Sequence, residues 1–257
     1  MKSKILASAI VVTSALIAPQ WVLAQTAPAS APAAAPAATP THSFTYNLGL
    51  VTDYRYRGIS QSGLNPALQG GVDYSHASGL YLGAWASTIT WITDFNPAAS
   101  GRVEIDLYGG YKGTAGPINY DVGMLQYWYA GNNINPNANT NEIYAAGTYG
   151  AYTLKYSHSL SNLFGFANSK SSGYLDLSAI FDLGNGWGVV PHIGRQRVSN
   201  NGSASYTDMS LSVTKEAYGL VFSGMVVGTD ATKTVYTPAS GKFFGKTAIV
   251  LGVKKNF

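Results

Sequence analysis

The stretch Phe44–Arg57 reads FTYNLGLVTDYRYR, and its side chains alternate in character along almost the whole length. One parity is apolar or aromatic, whereas the other carries small, polar and charged residues that end in Asp53, Arg55 and Arg57. Because successive residues of a strand point to opposite faces, this pattern predicts a strand with one oily face and one ion-bearing face. The alternation recurs about eleven more times before Phe257, so it decides the fold class.

The composition distinguishes two kinds of alternating β-protein. Charged residues make up 11% of the chain, whereas a soluble domain usually carries about 25%. No apolar segment after residue 24 reaches the length of about 20 residues that a membrane helix needs. Soluble sandwiches alternate with the apolar face inward, but a chain this poor in charge fits a transmembrane β-barrel whose apolar face meets lipid. We therefore expect an all-β, up-and-down antiparallel transmembrane barrel.

The chain divides into three parts. Residues 1–24 are expected to be a cleaved signal peptide, because two lysines precede an apolar run and Ala24 ends a small-residue cleavage motif. An N-terminal membrane anchor is the alternative, but the run is too short to span a bilayer. Residues 25–42 are rich in Ala and Pro and are predicted to be a disordered linker. Residues 43–257 form the barrel, which we place in the bacterial outer membrane.

Several function classes find no support in the composition. The chain has no cysteine, which excludes disulfides, thiolate metal sites and cysteine nucleophiles. Lys and Arg are not clustered as nucleic-acid binding requires, and no pair of histidines or carboxylates has a metal-ligand spacing. We therefore expect no nucleic-acid partner, no metal and no cofactor.

Strands and connections follow a regular plan. We count twelve candidate strands, with ten as the competing number; their ranges are 44–57, 67–76, 80–91, 102–111, 117–129, 141–149, 152–159, 173–182, 187–198, 206–215, 219–228 and 243–257. Longer polar stretches and tight turns alternate between them, as the outer loops and periplasmic turns of an outer-membrane barrel do.

Three positions leave the strand register open. Pro191 lies in the middle of the ninth strand, which predicts a bulge or a misplaced strand because proline lacks the N–H of a ladder bond. Arg195 and Arg197 share the parity of Ile193, so they either extend to lipid phosphates at the membrane interface or are turned inward by a register slip at Pro191, and we favour the slip. The segment 80–91 is apolar on both parities, so its register cannot be assigned.

One segment resembles a known family. The sequence of residues 49–62, GLVTDYRYRGISQS, resembles the opening of the TorF porin family of proteobacteria, and residues 66–71, 79–87, 104–111 and 120–123 agree with it. The likeness is dense from Phe44 to Tyr129 and thinner afterwards. The resemblance implies an outer-membrane barrel that passes small solutes, but it supplies no substrate and no established functional residues.

The last strand predicts partners. Ile249, Leu251, Val253 and Phe257 share one parity, and the terminal aromatic resembles the strand that barrel-assembly machinery reads, although Lys255 breaks the series. A buried edge strand of a soluble fold is the alternative. The expected partners are this machinery through Phe257, outer-membrane lipids with lipopolysaccharide, and small solutes.

If the apolar parity faces lipid, the opposite parity lines the lumen, where charged groups are tolerated beside water or in pairs. The candidate pore-lining residues are Asp53, Arg55, Arg57, Asp73, Glu104, Asp106, Asp121, Glu142, Lys155, Asp176, His192 and Asp208. We hypothesise that Arg55 and Arg57 face carboxylates across the lumen and form a charged constriction. The alternative is a salt-bridge network that plugs the barrel, since twelve strands fall between filled and open barrels.

The sequence therefore predicts a non-enzymatic outer-membrane porin for passive diffusion of small hydrophilic solutes or ions. A closed structural or surface-binding barrel is the second hypothesis. A lipid-modifying enzyme is the third, because His158 stands between Ser157 and Ser159. Adjacent strand residues point to opposite faces, which argues against His158 as their base.

Overall fold

The structure is a computed structural model that describes residues 41–257. Its strands are β1 (His42–Val51), β2 (Arg55–Tyr56), β3 (Ile59–Ser60), β4 (Ala67–His76), β5 (Leu80–Thr88), β6 (Val103–Ala115), β7 (Ile118–Tyr129), β8 (Thr140–Tyr149), β9 (Tyr152–Ser159), β10 (Gly173–Ala179), β11 (Phe181–Gly184), β12 (Trp187–Arg197), β13 (Tyr206–Ala217), β14 (Leu220–Thr229) and β15 (Ala248–Asn256). One short helix, α1 (Trp91–Phe95), follows β5, and a single 3-10 turn (Gly202–Ala204) follows β12.

The long strands form one closed antiparallel barrel. Neighbours in sequence pair with one another, β1 pairs with β15, and β10 pairs with both β9 and β12, which closes the ring. The strands β10 and β11 follow one another along the same neighbour, β12, and together make one barrel strand. The predicted all-β barrel of twelve strands is thus confirmed, and the competing count of ten is wrong.

The two ends of the barrel differ as predicted. Residues 77–79, 116–117, 150–151, 185–186 and 218–219 are tight turns at one end, which we call the short-turn end. At Asn185 and Gly186 both φ angles are positive, which is the turn geometry that suits the twist of paired strands. The connections 52–66, 89–102, 130–139, 160–172, 198–205 and 230–247 lie at the opposite end, which we call the long-loop end.

The apolar parity faces outward. Leu48 and Leu50 are 52% and 50% exposed, and Ile249 and Leu251 are 72% and 56% exposed. In a soluble fold these side chains would be buried, since burial of an aliphatic side chain is worth about 1.5–3 kcal/mol. The buried side chains of the barrel belong to the other parity and lie inside the ring. An apolar outer band of this kind suits contact with lipid.

Several strand limits differ from the prediction. The first strand ends at Val51 rather than at 57, and the third ends at Thr88, before α1. The fourth runs to Ala115 through residues predicted to form a turn, and the last begins at Ala248 rather than at 243. For the first, third and last strands, loop residues beside the barrel alternate as a strand does. The fourth strand was ended too early because Gly113 and Gly116 are typical of turns.

The register questions are resolved. The ladder between β12 and β13 runs without a shift through Pro191, which pairs with Leu211. The pairing of β12 with its other neighbour is interrupted instead. It stops at Ser178 and His192 and resumes at Phe181 and Val189, and Pro191, which has no N–H to donate, lies in this gap. Arg195 and Arg197 are therefore exposed on the outer face with Ile193, and the predicted inward slip is wrong. In β5, Tyr81 and Trp85 point inward.

The predicted signal peptide (residues 1–24) and most of the predicted linker (25–42) lie outside the described residues. Thr41 and His42 are the exceptions, and His42 is the first residue of β1 and pairs with His76. Within residues 41–257, no helix is long and apolar enough to cross a membrane.

Candidate functional site

The first long loop, residues 52–66, turns into the bore, and we name it the inward loop. Ten of its twelve residues from Thr52 to Gly63 are buried. Its hairpin joins β2 to β3 through Arg57 and Gly58, whose φ angles are +47° and +78°. Glycine is required at the second position for two reasons: left-handed backbone strains other residues, and an added Cβ would lie 2.4 Å from Thr229.

Asp53 and Arg55 hold the inward loop in place. The Asp53 carboxylate accepts hydrogen bonds from Ser60 Oγ and Arg55 Nε, both at 2.6 Å. Arg55 Nη1 donates to the carbonyl oxygens of Phe244 and Lys246 at 3.1 and 3.0 Å, which ties the inward loop to the last loop. Arg55 was expected to face a carboxylate across the lumen. In the structure its carboxylate partner is Asp53 of the same loop, because the chain turns after Val51 and brings Asp53 beside Arg55.

Arg57 has the long-range contacts that the constriction hypothesis requires. Its Nη2 and Nη1 donate to the two carboxylate oxygens of Glu142 at 2.8 and 3.1 Å, and Nη1 also donates to Gln196 Oε1 at 2.7 Å. The guanidinium lies over the rings of Tyr56 and Tyr174, 4.8 and 4.3 Å from their centroids. Paired donors on one carboxylate form a strong and directional contact.

These contacts cross the interior of the barrel. Glu142 is on β8 and Gln196 is on β12, and the ring order places four strands between β1 and β8 and three between β1 and β12. The inward loop follows β1, so Arg57 reaches from one wall to the opposite one. We call the contact of Arg57 with Glu142 and Gln196 the transverse bridge. The Arg57 and Glu142 side chains are only 6% and 2% exposed.

Tyrosine hydroxyls hydrogen-bond five of the inward carboxylates. The pairs are Tyr54 with Glu104 at 2.8 Å, Tyr81 with Asp121 at 2.6 Å, Tyr108 with Asp73 at 2.5 Å, Tyr127 with Glu142 at 3.2 Å and Tyr174 with Asp208 at 3.0 Å. A buried tyrosine combines an apolar ring with a donor that needs a partner. These residues were not predicted, because the aromatic parity of the first strand was assigned to lipid. Tyr54 continues that parity but lies in the inward loop, whereas the other four tyrosines share the inner parity of their own strands.

The half of the bore next to the short-turn end holds three lysines. Lys112 Nζ is 4.0 Å from Asp121 and lies over the Tyr81 ring, and Lys155 lies over the Tyr144 ring. Lys254 shares the inner parity of β15 with Val250. Lys112 and Lys254 are not among the predicted pore-lining residues. Lys112 shares the parity of Glu104 and Asp106. It would have been predicted to face the bore if the fourth predicted strand had extended beyond residue 111.

All twelve predicted pore-lining residues have buried or partly buried side chains inside the barrel. Three of them meet in the middle of the bore, where His192 Nε2 is 2.8 Å from Asp176 and Nδ1 is 3.6 Å from Asp208. Glu104 Oε2 and Asp106 Oδ1 are buried without a hydrogen-bond partner among the described residues. Among residues 41–257, the interior holds eight acids against five bases, which are Arg55, Arg57, Lys112, Lys155 and Lys254.

Aromatic side chains join the loops at the long-loop end. Trp91 packs edge-on against Tyr129, with ring centroids 5.3 Å apart, and Tyr206 packs edge-on against Tyr236 at the same distance. Burial raises the pKa of the Tyr236 phenol, which stays neutral and donates to the Ala204 carbonyl at 2.6 Å. These contacts hold the loops 89–102 and 230–247 against the ends of β7 and β13, and the Tyr236 hydrogen bond joins the last loop to the loop 198–205.

The candidate enzyme residues are separated by the sheet. Ser157 and Ser159 are buried inside the barrel, whereas His158 is on the outer face beside Tyr156, at 3.3 Å. His158 is thus not placed to take a proton from either serine. In the part of the chain that the structure describes, no group of three or more His, Cys, Asp or Glu side chains is arranged to hold a metal ion.

A closed twelve-strand antiparallel barrel with an apolar outer face and a polar interior is the fold of outer-membrane porins. The chain belongs to the family Gcw_chp, described as "Bacterial protein of unknown function", whose model matches residues 34–257. No curated protein sequence matches it. The fold is similar to that of the KdgM porin solved "in complex with disordered oligogalacturonate", with a TM-score of 0.52 and 8% identity over 83% of this chain and 98% of that one. The fold is also similar to that of the NanC porin, with a TM-score of 0.50 and 8% identity over 82% of this chain and 98% of that one. At these identities the likeness concerns the fold alone.

Proposed function

We propose that this protein is an outer-membrane channel for passive diffusion of small hydrophilic solutes or ions, with the transverse bridge as its narrowest point. The observation that carries the proposal is the inward loop, which brings a buried arginine from the β1 wall to Glu142 on the opposite wall. A charged group at the narrowest point of a bore sorts solutes by size and sign. The excess of interior acids predicts a preference for cations.

The surrounding expectations belong to the same proposal. The apolar outer band would contact outer-membrane lipids and lipopolysaccharide, and Phe257, 64% exposed at the end of the barrel, would be read by the assembly machinery. The resemblance of residues 49–62 to the TorF porin family falls on the inward loop, which supports a shared role for this segment. The proposal involves no catalysis and no cofactor.

The test is single-channel recording of refolded protein in planar bilayers. Arg57→Ala is expected to raise the conductance and to strengthen cation preference, because it removes both bulk and positive charge from the narrowest point. The matched control is Arg195→Ala, which removes an arginine from the outer face. If Arg57→Ala and Arg195→Ala leave conductance and ion preference equally unchanged, the constriction is refuted.

A closed barrel is the second candidate, and one observation favours it. The long-loop half of the bore is filled by buried side chains, among them Tyr54, Tyr127 and Tyr129, each at most 2% exposed. This candidate predicts no conductance from the wild type or from Arg57→Ala. The recording described above therefore distinguishes the two candidates.

A further inference from the structure

A cavity of about 220 Å³ lies among the loops at the long-loop end, and we name it the aromatic cavity. Nine of its sixteen lining residues are aromatic, including Trp91, Phe164, Phe166 and Tyr236, and none carries a formal charge. Tyr56, Ile59, Ser60 and Gln61 of the inward loop form part of its wall, so the cavity lies beside this loop at the long-loop end.

The size of the cavity limits its occupant. A dry cavity of about 150 Å³ with aliphatic and aromatic walls is large enough for benzene, whereas drug-sized ligands occupy about 300–1,000 Å³. A volume of about 220 Å³ therefore suits one ring with one substituent. Aromatic pairs prefer edge-to-face or offset-stacked contact to a face-to-face sandwich, and the walls already use the edge-to-face geometry, as the 88° angle between the Trp91 and Tyr129 rings shows. An aromatic ring thus fits the walls better than an aliphatic one.

The polar groups of the walls specify the rest of the solute. Trp91 Nε1 is buried and has no hydrogen-bond partner among residues 41–257, and an unmatched buried donor favours a solute with an acceptor. Because no wall residue is charged, an ionised solute would lose its hydration without gaining an ion pair. The occupant is therefore uncharged.

The inner wall of the cavity connects it to the transverse bridge. Gln196 lines the cavity and accepts from Arg57 Nη1 at 2.7 Å. Tyr56 also lines it and lies against the Arg57 guanidinium. We propose that the aromatic cavity binds an uncharged solute with a single aromatic ring and one hydrogen-bond acceptor, directly outside the transverse bridge. This inference goes beyond the proposed function, because it names a solute class other than the ions that the acidic bore favours, and it rests on that function only for passage through the barrel.

Fluorine NMR of the refolded full chain in detergent micelles tests binding apart from transport. The probe is 4-fluorobenzamide, with 4-fluorobenzoate as the charged analogue and cyclohexanecarboxamide as the competitor without an aromatic ring. We expect saturable binding of the amide, at least tenfold weaker binding of the benzoate, and little competition from the cyclohexane compound. Val235→Trp, which places a bulky ring in the cavity, is expected to abolish the binding.

Trp91→Phe tests the hydrogen bond without removing the aromatic wall. It is expected to weaken 4-fluorobenzamide binding about two- to tenfold, the effect of one hydrogen bond, and to leave fluorobenzene binding unchanged. The matched control, Trp128→Phe, changes a tryptophan on the outer face and is expected to have no effect. Equal binding of amide and benzoate, equal binding by the wild type and Val235→Trp, or equal effects of Trp91→Phe and Trp128→Phe would each overturn the inference. Binding without conductance would refute the proposed function alone.

Discussion

The transverse bridge gives the most specific prediction for stability. Removing one member of a buried ion pair leaves the other charge buried without a partner, which costs about 3–5 kcal/mol. Arg57 and Glu142 meet this condition, because their side chains are 6% and 2% exposed and their charged atoms are 2.8 Å apart. We therefore expect Arg57→Met and Glu142→Leu each to lower the free energy of unfolding by about 3–5 kcal/mol.

The double variant separates pairing from burial. Arg57→Met with Glu142→Leu leaves no unpaired charge, and apolar replacement of both members of a buried pair is often close to neutral. We expect the double variant to be more stable than either single variant. Contacting residues commonly show a coupling free energy of about 0.5–3 kcal/mol, and this pair should reach or exceed the upper end.

The assay is urea unfolding in detergent micelles, followed by tryptophan fluorescence. Unfolding free energies are compared between variants that have equal m-values. The control is the exposed pair of Arg195 and Asp230, whose side chains are 56% and 62% exposed with charged atoms 3.9 Å apart. Breaking such a pair is expected to cost no more than about 1 kcal/mol. The reasoning fails if Arg57→Met costs no more than Arg195→Met, or if the two bridge substitutions are additive.

Two further predictions concern the barrel walls. Leu211→Arg, on the outer face near the middle of β13, is expected to destabilise the protein in lipid by about 2–4 kcal/mol, and a cost near zero in lipid vesicles would contradict a lipid-facing outer band. Gly83→Ala places a Cβ 2.2 Å from the Tyr108 ring and is expected to cost about 1–3 kcal/mol, because the ring must leave its bond to Asp73. Gly147→Ala is the control, since its nearest added contact is 3.7 Å away, and equal unfolding free energies of the two variants would refute the packing argument.

Much of the barrel was predictable because its physics is periodic. The limits of 67–76 and 152–159 agree with β4 and β9, since each strand alternates cleanly and ends at turn residues. The alternation also predicted which face of the first strand points outward, because Leu48 and Leu50 are on the apolar face. A closed barrel imposes this pattern on every strand, so local sequence carries the global fold.

The inward loop was not predictable, for a physical reason. Tyr54, Arg55, Tyr56 and Arg57 alternate as the preceding strand does, and a short hairpin folded inside a barrel has the same period as a strand in its wall. Gly58 was a local signal of the hairpin turn. The pairing of Arg57 with Glu142 depends on how far the loop enters the bore, which no local pattern encodes.

The partners of the carboxylates were hidden for a related reason. Tyr81, Tyr108 and Tyr174 are apolar by composition, yet their hydroxyls make them suitable interior residues. The alternation shows which side chains of a strand share a face. Where both faces of the strand carry aromatic residues, it does not show which face contacts lipid. In β5 both parities are apolar, and only the barrel geometry turns Tyr81 inward.

The central claim is that the barrel is a channel narrowed by the inward loop. Its most direct test is the swelling of liposomes that contain the refolded protein in a size series of neutral sugars. We expect small sugars to enter faster than into protein-free liposomes, with a size limit that Arg57→Ala moves upward. Swelling no faster than in protein-free liposomes, from both the wild type and Arg57→Ala, would contradict the account.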